Sequence, residues 1–508
     1  MLSQALNLYK QGRINEALLI LEKLVKNKKT NIEELNVYAA LLFEKNNFKE
    51  AISIISKALI INPKNIVLLN NRAQFYFKIK KYEDSLNDFN QILKINPYHD
   101  ETYNDIGRIY VKKNNFLDGI FYFDKAIKIN QNKYQYFYNK GNALYRLNKF
   151  EDSINSYNES IKLKTDHYKS YHNRGLSLQE LLKLDEAMND FESAIKYSKN
   201  FYESHLAKGY IHLIKGEFEQ GWKLHEYRWK SDMFNEYLPK NKNSKLWLGQ
   251  ENLKSKSILL FHEQGLGDTI QFARYIKNFK TLDTKVIVLV QKPLLKIIKT
   301  VEPSFDYITE EKDGLCYDYH CPLMSLPLAF NTTINNIPKT TPYLSAPQQT
   351  VIEFKDKLSS VNKTKIGIAW RGNPNHKNDH QRSIELSDIV ALLDKKYHWV
   401  ILQNKLNEKE DKILEKNSIT YFKNNNFSEL SGICKNLDFI ISVDTSVAHL
   451  GGALGKKVIL LTPYFCDFRW LLNTSKTDWY PTMRIIRKEK NQNWKFAFIE
   501  GLKLIDNL

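Results

Sequence analysis

The feature that most constrains the fold of this chain is a small residue that recurs every 34 residues through its first half. These anchor positions are Ala5, Ala39, Ala73, Gly107, Gly141, Gly175 and Gly209. A second small residue follows each anchor after 12 positions, and in the first six repeats a large apolar residue follows after 16. This period indicates stacked helix pairs, because one pair cannot bury its apolar face alone. The second half of the chain lacks the period and must fold differently.

The ends of the repeats support this reading. Pro63 and Pro97 each follow an asparagine at the end of a repeat, where proline stops a helix because it has no N–H to donate. Position by position, the pattern resembles the tetratricopeptide repeat, and we assign 1–235 to an array of about seven helix pairs. Trp222 and Trp229 lie in the last pair, where small residues belong. We predict that these aromatics dock the array onto the next domain, with a terminal cap as the alternative.

Composition limits the classes of protein that fit. The chain has 508 residues, 43% of them apolar, which favours more than one globular core. The formal net charge is +18, but the lysines are dispersed among many asparagines and isoleucines. This dispersal argues against nucleic acid as the main ligand, although a basic field would still attract an anionic substrate.

The first residues lack a charged segment followed by an apolar run, and no stretch is long enough to span a bilayer. We therefore expect a cytoplasmic protein without a transmembrane segment. Four cysteines give no disulfide framework. Cys316, His320 and Cys321 lie close together, but no second ligand pair follows, so we expect no metal site.

The pattern changes after the array. A polar stretch, 236–255, reads as a linker, and strands then alternate with helices, as in a parallel α/β sheet. Two such units are predicted, 256–350 and 363–508. The expected fold class is thus α + α/β: a helical solenoid followed by two Rossmann-like halves around a cleft. Ligands of such sheets bind beyond the carboxyl ends of the strands.

Two turns in these halves carry candidate chemistry. Gly265 and Gly267 follow the first predicted strand, but Ile270 replaces the third glycine of a dinucleotide fingerprint. The run from Asp444 to Ser446 begins a helix directly after a buried strand, where free N–H groups and the helix dipole favour phosphate. Helix capping by Asp444 or Thr445 is compatible with that role. His449 lies one turn later in the helix. We expect it either to contact the ligand or to be a histidine of the core.

Gly267-Asp268 and the run from Asp444 to Leu450 resemble the paired motifs of the heptosyltransferase-like glycosyltransferases, family 9-like. The resemblance covers about 255–508 and implies a GT-B fold with the acceptor on the first half and the nucleotide-sugar donor on the second. It also implies inverting, metal-independent transfer without a further cofactor. The combination with a repeat array is similar to a bacterial group of tetratricopeptide proteins and, less closely, to the O-linked N-acetylglucosamine transferases.

The resemblance implies that Asp268 is the general base for an acceptor hydroxyl, although a helix cap is the alternative and His262 and Glu263 are rival bases. The side chains expected to hold the donor and its phosphates are Asp444, Thr445, Ser446, His449, Arg371 and Lys377, with Arg382 as a further cation. For each of these cations, a solvated surface role is the alternative.

We therefore expect a glycosyltransferase whose array recruits a protein or glycan acceptor. The alternative is a non-catalytic tetratricopeptide scaffold with a degenerate transferase domain. ADP-heptose, GDP-linked and UDP-linked donors all remain open. Asparagines recur near the anchors, and their amides can bind a peptide backbone or glycan hydroxyls in a concave groove, unless asparagine is simply common in this chain. They are Asn70, Asn104, Asn139 and Asn173.

Overall fold

The computed structural model describes residues 1–25, 31–263, 265–373, 379–417, 419–423, 426–490 and 492–507. The chain divides into two compact units, Met1–Ser198 and Lys199–Leu508. The division falls before the seventh helix pair, whereas the sequence placed the end of the array at 235. The last pair of the array therefore belongs to the second unit.

The described part of the first unit consists of helices that follow the 34-residue period. They are α1 (Leu2–Lys10), α2 (Ile14–Val25), α3 (Ile32–Glu44), α4 (Phe48–Ile61), α5 (Ile66–Lys78), α6 (Tyr82–Ile95), α7 (Asp100–Lys112), α8 (Phe116–Ile129), α9 (Tyr134–Arg146), α10 (Phe150–Leu163), α11 (Tyr168–Glu180) and α12 (Leu184–Tyr197).

The anchors are small because the two helices of a pair approach closely there. A Cβ atom on Gly107 would lie 2.7 Å from the ring of Phe123, and one on Gly141 would lie 2.6 Å from the ring of Tyr157. Phe123 and Tyr157 are the large residues 16 positions after these anchors, and both are buried. The predicted register of the repeat is therefore confirmed.

The second unit begins with α13 (Tyr202–Ile214), α14 (Phe218–His225) and a 3-10 turn, Glu226–Lys230. Trp222 is buried, and its ring centroid lies 6.3 Å from that of Phe272 and 5.6 Å from that of Phe468. Since both phenylalanines belong to the α/β region, the aromatics of the last pair pack against that region within the second unit.

The first sheet is parallel and has the strand order β1-β5-β2-β3-β4. Its strands are β1 (Lys245–Leu246), β2 (Ser257–Phe261), β3 (Lys285–Leu289), β4 (Asp306–Ile308) and β5 (Tyr319–Pro322). The helices that accompany it are α15 (Leu266–Phe272), α16 (Leu295–Ile298) and α17 (Leu326–Ala329), with 3-10 segments at Asp232–Tyr237, Ala273–Thr281, Lys292–Leu294 and Leu323–Ser325.

The segment expected to be a linker is part of this sheet. Lys245–Leu246 forms the edge strand β1, which pairs with β5, and Trp247 is buried. The backbone N–H groups of Lys240 and Asn241 donate to the buried carboxylate of Glu311. The polar composition that suggested a linker therefore reflects an edge segment whose backbone is satisfied by its neighbours.

The second sheet is also parallel, with the order β11-β10-β9-β6-β7-β8. Its strands are β6 (Lys365–Ala369), β7 (His398–Ile401), β8 (Thr420–Tyr421), β9 (Phe439–Val443), β10 (Lys457–Thr462) and β11 (Met483–Arg487). The helices are α18 (Gln348–Lys357), α19 (Asp379–Arg382), α20 (Leu386–Ile389), α21 (Glu408–Asn417), α22 (Phe427–Lys435), α23 (Ser446–Ala453) and α24 (Trp494–Asp506), with 3-10 turns at Val390–Leu392 and Phe468–Trp470.

This order is that of a doubly wound Rossmann sheet, in which the direction of winding reverses between the two central strands. Here those strands are β6 and β9, and ligands of such sheets bind at the carboxyl ends of that pair. Arg371 follows β6 after one residue, and Asp444 follows β9 directly. The topology thus places two of the predicted site residues at the reversal point.

Candidate functional site

The run from Asp444 to Ser446 lies where the sequence predicted it, between the end of β9 and the start of α23. Thr445 is the N-cap residue of α23, and no described side chain caps the first turn of this helix. The Thr445 hydroxyl instead lies 3.3 Å from that of Ser442 in β9. The first turn of α23 therefore keeps backbone N–H groups that can meet an anion.

Helix α15 of the first half packs directly against α23 of the second half. A Cβ atom on Gly267 would lie 2.9 Å from Cδ2 of His449 and 3.6 Å from Cα of Ser446. Only glycine permits this approach without displacing the histidine ring. The two motifs identified from the sequence are therefore brought together at one place in the second unit.

Asp268 lies in the first turn of α15, and both of its carboxylate oxygens have partners. Oδ2 accepts a hydrogen bond from the backbone N–H of Gly265 at 2.9 Å, which closes a capping arrangement at the start of the helix. Oδ1 accepts from the guanidinium of Arg469. Asp268 thus combines the helix-capping role with a position at the junction of the two halves.

Arg469 is the residue at this junction that sequence reasoning missed. Its guanidinium is buried and donates to Asp268, to the side-chain amide oxygen of Gln271, and to Asp467 at 2.8 Å. Burial opposes its charge and lowers the pKa of Arg469, but the carboxylates of Asp467, Asp268 and Asp444 outweigh that effect and raise it. The available signal was a polar Asp467-Phe468-Arg469 turn shortly after β10, at the same sheet edge as Asp444.

Asp444 is a carboxyl group of the site whose pKa is raised. Burial, together with the neighbouring carboxylate of Asp467, raises the pKa of Asp444 to about 6, against the attraction of Arg382 and Arg469. Its Oδ1 lies 3.8 Å from Nε2 of His449. Titratable groups displaced toward neutral pH are concentrated at functional sites, which makes Asp444 a candidate for ligand binding.

His449 is buried in the core and also borders the site. Its Nδ1 is hydrogen-bonded to the hydroxyl of Tyr480 at 2.9 Å, and its ring stacks on Trp470 with centroids 5.4 Å apart. Burial and the nearby Arg469, Arg274 and Arg382 keep the pKa of His449 well below its usual value. His449 is therefore neutral near pH 7, and the two readings of this residue are compatible.

The predicted phosphate cations differ in what they contact. Arg371 makes a two-pronged ion pair with Glu410, with both distances 2.8 Å, and also donates to the carbonyl of Lys405. Lys377 lies outside the described residues. Arg382 pairs with Asp379 at 3.2 Å and donates to the main-chain carbonyl of Asp444 at 3.0 Å. Arg371 thus has its guanidinium paired with Glu410, whereas the guanidinium of Arg382 contacts the main chain of Asp444 at the end of β9.

Glu263, one of the rival bases, forms a buried ion pair with Arg228. The guanidinium donates to both carboxylate oxygens at 2.8 and 2.9 Å, and both side chains are at most 1% exposed. Burial raises the pKa of Glu263, and Arg228 opposes that shift. Because Arg228 follows α14, this pair fastens the last repeat to the first sheet.

His262, the other rival base, lies next to Glu263 in the chain. Burial lowers the pKa of His262, and its Nδ1 has no hydrogen-bond partner in the described part of the chain.

In the described residues, no group of three or more histidine, cysteine, aspartate or glutamate side chains is arranged to hold a metal ion. Cys321 is buried, whereas Cys316 is exposed. Over the same residues, no helix is both long enough and apolar enough to cross a membrane.

The groove asparagines of the first unit link neighbouring repeats. The side-chain amide of Asn139 donates to Oδ1 of Asn104 at 2.8 Å, and that of Asn173 donates to Oδ1 of Asn142 at 2.7 Å. Each bond joins side chains of consecutive first helices. These asparagines therefore contribute to the stacking of the array. Each bonded pair still has further side-chain N–H and C=O groups that can form hydrogen bonds.

Comparison with known proteins supports the repeat array. A family model described as anaphase-promoting complex, cyclosome, subunit 3 matches residues 10–91. A tetratricopeptide repeat model matches residues 100–133, 134–167 and 168–201. Protein FlbA of Caulobacter vibrioides is 21% identical over 325 residues, covering 57% of this chain and 52% of FlbA. The chain thus spans about half the length of that relative.

Two similar solved structures are described as tetratricopeptide repeat proteins. A tetratricopeptide repeat protein from Parabacteroides merdae is 21% identical, covers 45% of this chain and 91% of its own, and has a TM-score of 0.39. YrrB, described as a TPR protein with an unusual peptide-binding site, is 16% identical, with coverages of 37% and 97% and a TM-score of 0.31. From the repeat-model matches and the observed register, the N-terminal part of this chain is a tetratricopeptide repeat array.

Proposed function

We propose that the second unit is a glycosyltransferase that moves a sugar from a nucleotide-sugar donor to an acceptor hydroxyl. The observation that carries the proposal is the contact of α15 with α23. It brings the carboxylate of Asp268 and the uncapped first turn of α23 to the facing carboxyl edges of two parallel sheets. A GT-B enzyme needs this arrangement, with a base on one half and an anion site on the other.

In this proposal, the phosphates of the donor meet the backbone N–H groups at Thr445 and Ser446, where the helix dipole favours negative charge. Arg382 lies beside them through its bond to the Asp444 carbonyl. Asp444 and His449 border the sugar, and Asp268 accepts the proton of the acceptor hydroxyl. The reaction class is inverting transfer, and no step in it calls for a metal.

We propose that the array recruits the acceptor. Stacked tetratricopeptide repeats present an extended surface suited to protein partners. The asparagines of the first helices that link the repeats also offer amide groups to a peptide backbone or to glycan hydroxyls. This part of the proposal concerns the first unit, and the chemistry of transfer concerns only the second.

The second candidate function is a scaffold without catalysis. One observation favours it. Both carboxylate oxygens of Asp268 already accept hydrogen bonds, from Gly265 and from Arg469, so a hydroxyl of the acceptor substrate would have to compete with these partners. A protein of this kind would hold a nucleotide sugar without turning it over. Binding and turnover therefore have to be measured separately.

A thermal-shift screen of the full chain against ADP-, GDP- and UDP-linked sugars tests the proposal, because a ligand that binds the folded state raises its apparent stability. We expect one nucleotide class to raise the melting temperature of the wild type, and this ligand-induced rise to be lost in Asp444→Ala and His449→Ala. The matched control is His398→Ala, at the amino end of β7, which should keep it. If no nucleotide sugar shifts the wild type at millimolar concentration, the proposal fails.

A further inference from the structure

The guanidinium of Arg469 bridges the two halves of the second unit. It belongs to the turn after β10, yet it donates to Asp268 and Gln271, which both lie on α15 of the first half. The fork of an arginine side chain matches carboxylate and phosphate geometry equally well. Arg469 is therefore bound to the proposed base by the same atoms that would bind a diphosphate.

The charges around Arg469 make this contact an exchangeable one. Asp268 and Asp467 are both bonded to it, and Asp444 adds a third carboxyl group nearby. A nucleoside diphosphate in the first turn of α23 would bring further negative charge next to Asp444, whose carboxylate already raises the pKa of Arg469. Since α15 and α23 are in contact at Gly267 and Ser446, a diphosphate there would compete with Asp268 for the Arg469 guanidinium.

A second observation points to a ligand at the same place. Gln271 is fully buried, and its Oε1 accepts from Arg469, which places its amide end against the guanidinium. Its Nε2 has no hydrogen-bond partner among the described residues. A buried amide without a partner is costly, and an oxygen-rich ligand next to Arg469 would provide the missing acceptor.

We infer that Arg469 is a donor-binding residue that exchanges one anion for another. In the free protein it holds Oδ1 of Asp268, and when the nucleotide-sugar donor binds, its guanidinium moves to the diphosphate oxygens and releases Asp268. The inference rests on the proposed glycosyltransferase function and deepens it. It also reconciles the bonded state of Asp268 with a role as base.

The chemical step balances without any other reactant. The acceptor oxygen forms a bond to the anomeric carbon, and the bond from that carbon to the diphosphate oxygen breaks with its electron pair going to the diphosphate. The hydroxyl proton passes to Oδ1 of Asp268. Arg469 stabilises the negative charge that develops on the leaving oxygen. The donor thus prepares the base before transfer can occur.

The test measures the affinity of the full chain for ADP, GDP and UDP by titration calorimetry, and then follows the nucleotide that binds best. Arg469→Gln should weaken this affinity about tenfold or more, since a buried charged contact is lost. Arg484→Gln is the matched control, because within the described part of the chain the Arg484 side chain donates to the main-chain carbonyls of Pro481 and Met483 and to no carboxylate, and it should bind like the wild type.

Asp268→Asn provides the variant whose expected effect cannot come from misfolding. It removes the competing carboxylate, so the affinity for the diphosphate should rise severalfold. In Arg469→Gln/Asp268→Asn this gain should disappear, because the guanidinium that profits from it is absent. A gain that persists in the double variant would reflect a general charge effect and would overturn the exchange.

The outcomes separate the inference from the function on which it rests. If the wild type binds none of the three nucleotides, the glycosyltransferase proposal fails, and the exchange fails with it. If the wild type binds one of them and Arg469→Gln binds it equally well, only the exchange is overturned. Two results together support both the glycosyltransferase proposal and the exchange: the affinity falls in Arg469→Gln, and it rises in Asp268→Asn only when Arg469 is present.

Discussion

Gly267 and His449 belong to different halves of the second unit, and a Cβ atom on Gly267 would lie 2.9 Å from Cδ2 of the histidine ring. The ring cannot easily retreat, because it stacks on Trp470 and is hydrogen-bonded to Tyr480. The close approach of the two motifs therefore depends on the absence of one side chain.

Gly267→Ala should lower the free energy of unfolding by about 1–3 kcal/mol, because the added methyl group must displace a buried ring or the helix itself. Urea unfolding followed by circular dichroism measures the change. The control is Gly501→Ala, in helix α24, where the nearest side-chain atom would be 3.3 Å away. There, the change in the free energy of unfolding should stay within about 1 kcal/mol, because the contact is less close and the better helix propensity of alanine opposes its cost. Equal effects at the two positions would contradict the close packing of α15 on α23.

Asp444→Asn should stabilise the protein more at neutral pH than at acidic pH. The pKa of Asp444 is raised from 3.8 to about 6 on folding, mainly by burial, so the folded state binds this proton more tightly than the unfolded state. Between these two values stability falls as pH rises, and above them the cost of carrying the charge is constant, at up to about 3 kcal/mol.

Unfolding of wild type and Asp444→Asn at pH 4.5, 6 and 7.5 measures this difference. The lowered pKa of His449 makes stability fall as the pH drops below the ordinary titration range of histidine, which is the opposite trend. This contribution is present in both proteins, so the difference between them removes it. The advantage of the variant should grow from pH 4.5 to pH 7.5. A difference that is constant over this range, or that favours the wild type at pH 7.5, contradicts the assigned burial of the carboxylate.

Glu263→Gln should destabilise the second unit by about 1–3 kcal/mol, because it removes one of the two carboxylates that pair with the buried guanidinium of Arg228, while Glu226 remains at 2.7 Å. Urea unfolding of the full chain gives the value. Lys240→Ala, which removes the exposed ion pair with Asp313, is the control and should have no measurable effect. If Glu263→Gln behaved like this control, the ion pair with Arg228 would not stabilise the second unit.

A fragment that starts at Lys199 should fold better than one that starts at 236. The shorter fragment lacks Trp222 and Arg228, so it exposes Phe272 and Phe468 and leaves Glu263 buried and unpaired. Soluble yield and the sharpness of thermal unfolding compare the two. A 236–508 fragment that is monomeric and unfolds as cooperatively as the longer one would show that the last repeat is not part of this unit.

The helical array could be predicted almost completely from the sequence, because its physical cause is local and periodic. Gly107 and Gly141 recur where helices cross, and each reveals its partner 16 residues later. The positions of the turns before α15 and α23 could also be predicted, since glycine turns and buried strands are local signals.

The pairing of charges could not be predicted, because it joins residues far apart in the chain. Arg469 and Asp268 are 201 residues apart, and the turn after β10 that contains Arg469 does not reveal which carboxylate the arginine contacts. Arg371 has an attractive local position after β6, but its partner Glu410 comes from α21. Sequence motifs thus located the sheet edge. Which arginines lie close enough to bind an anion there depends on contacts between residues far apart in the chain.

The domain boundary also depends on tertiary contacts. The repeat period continues through Gly209, so the sequence assigned the last pair to the array. In the folded chain, Trp222 of that pair contacts Phe272 and Phe468 of the α/β region. The aromatics were visible in the sequence, but the extent of their burial was not.

A crystal structure of the full chain with the nucleoside diphosphate that the thermal-shift screen selects would show directly whether Arg469 exchanges Asp268 for phosphate. We expect the phosphates at the first turn of α23, next to Thr445 and Ser446, with the Arg469 guanidinium on a phosphate oxygen and no longer on Asp268. Phosphates at any other place in the second unit, with Asp268 and Arg469 still paired, would contradict this expectation.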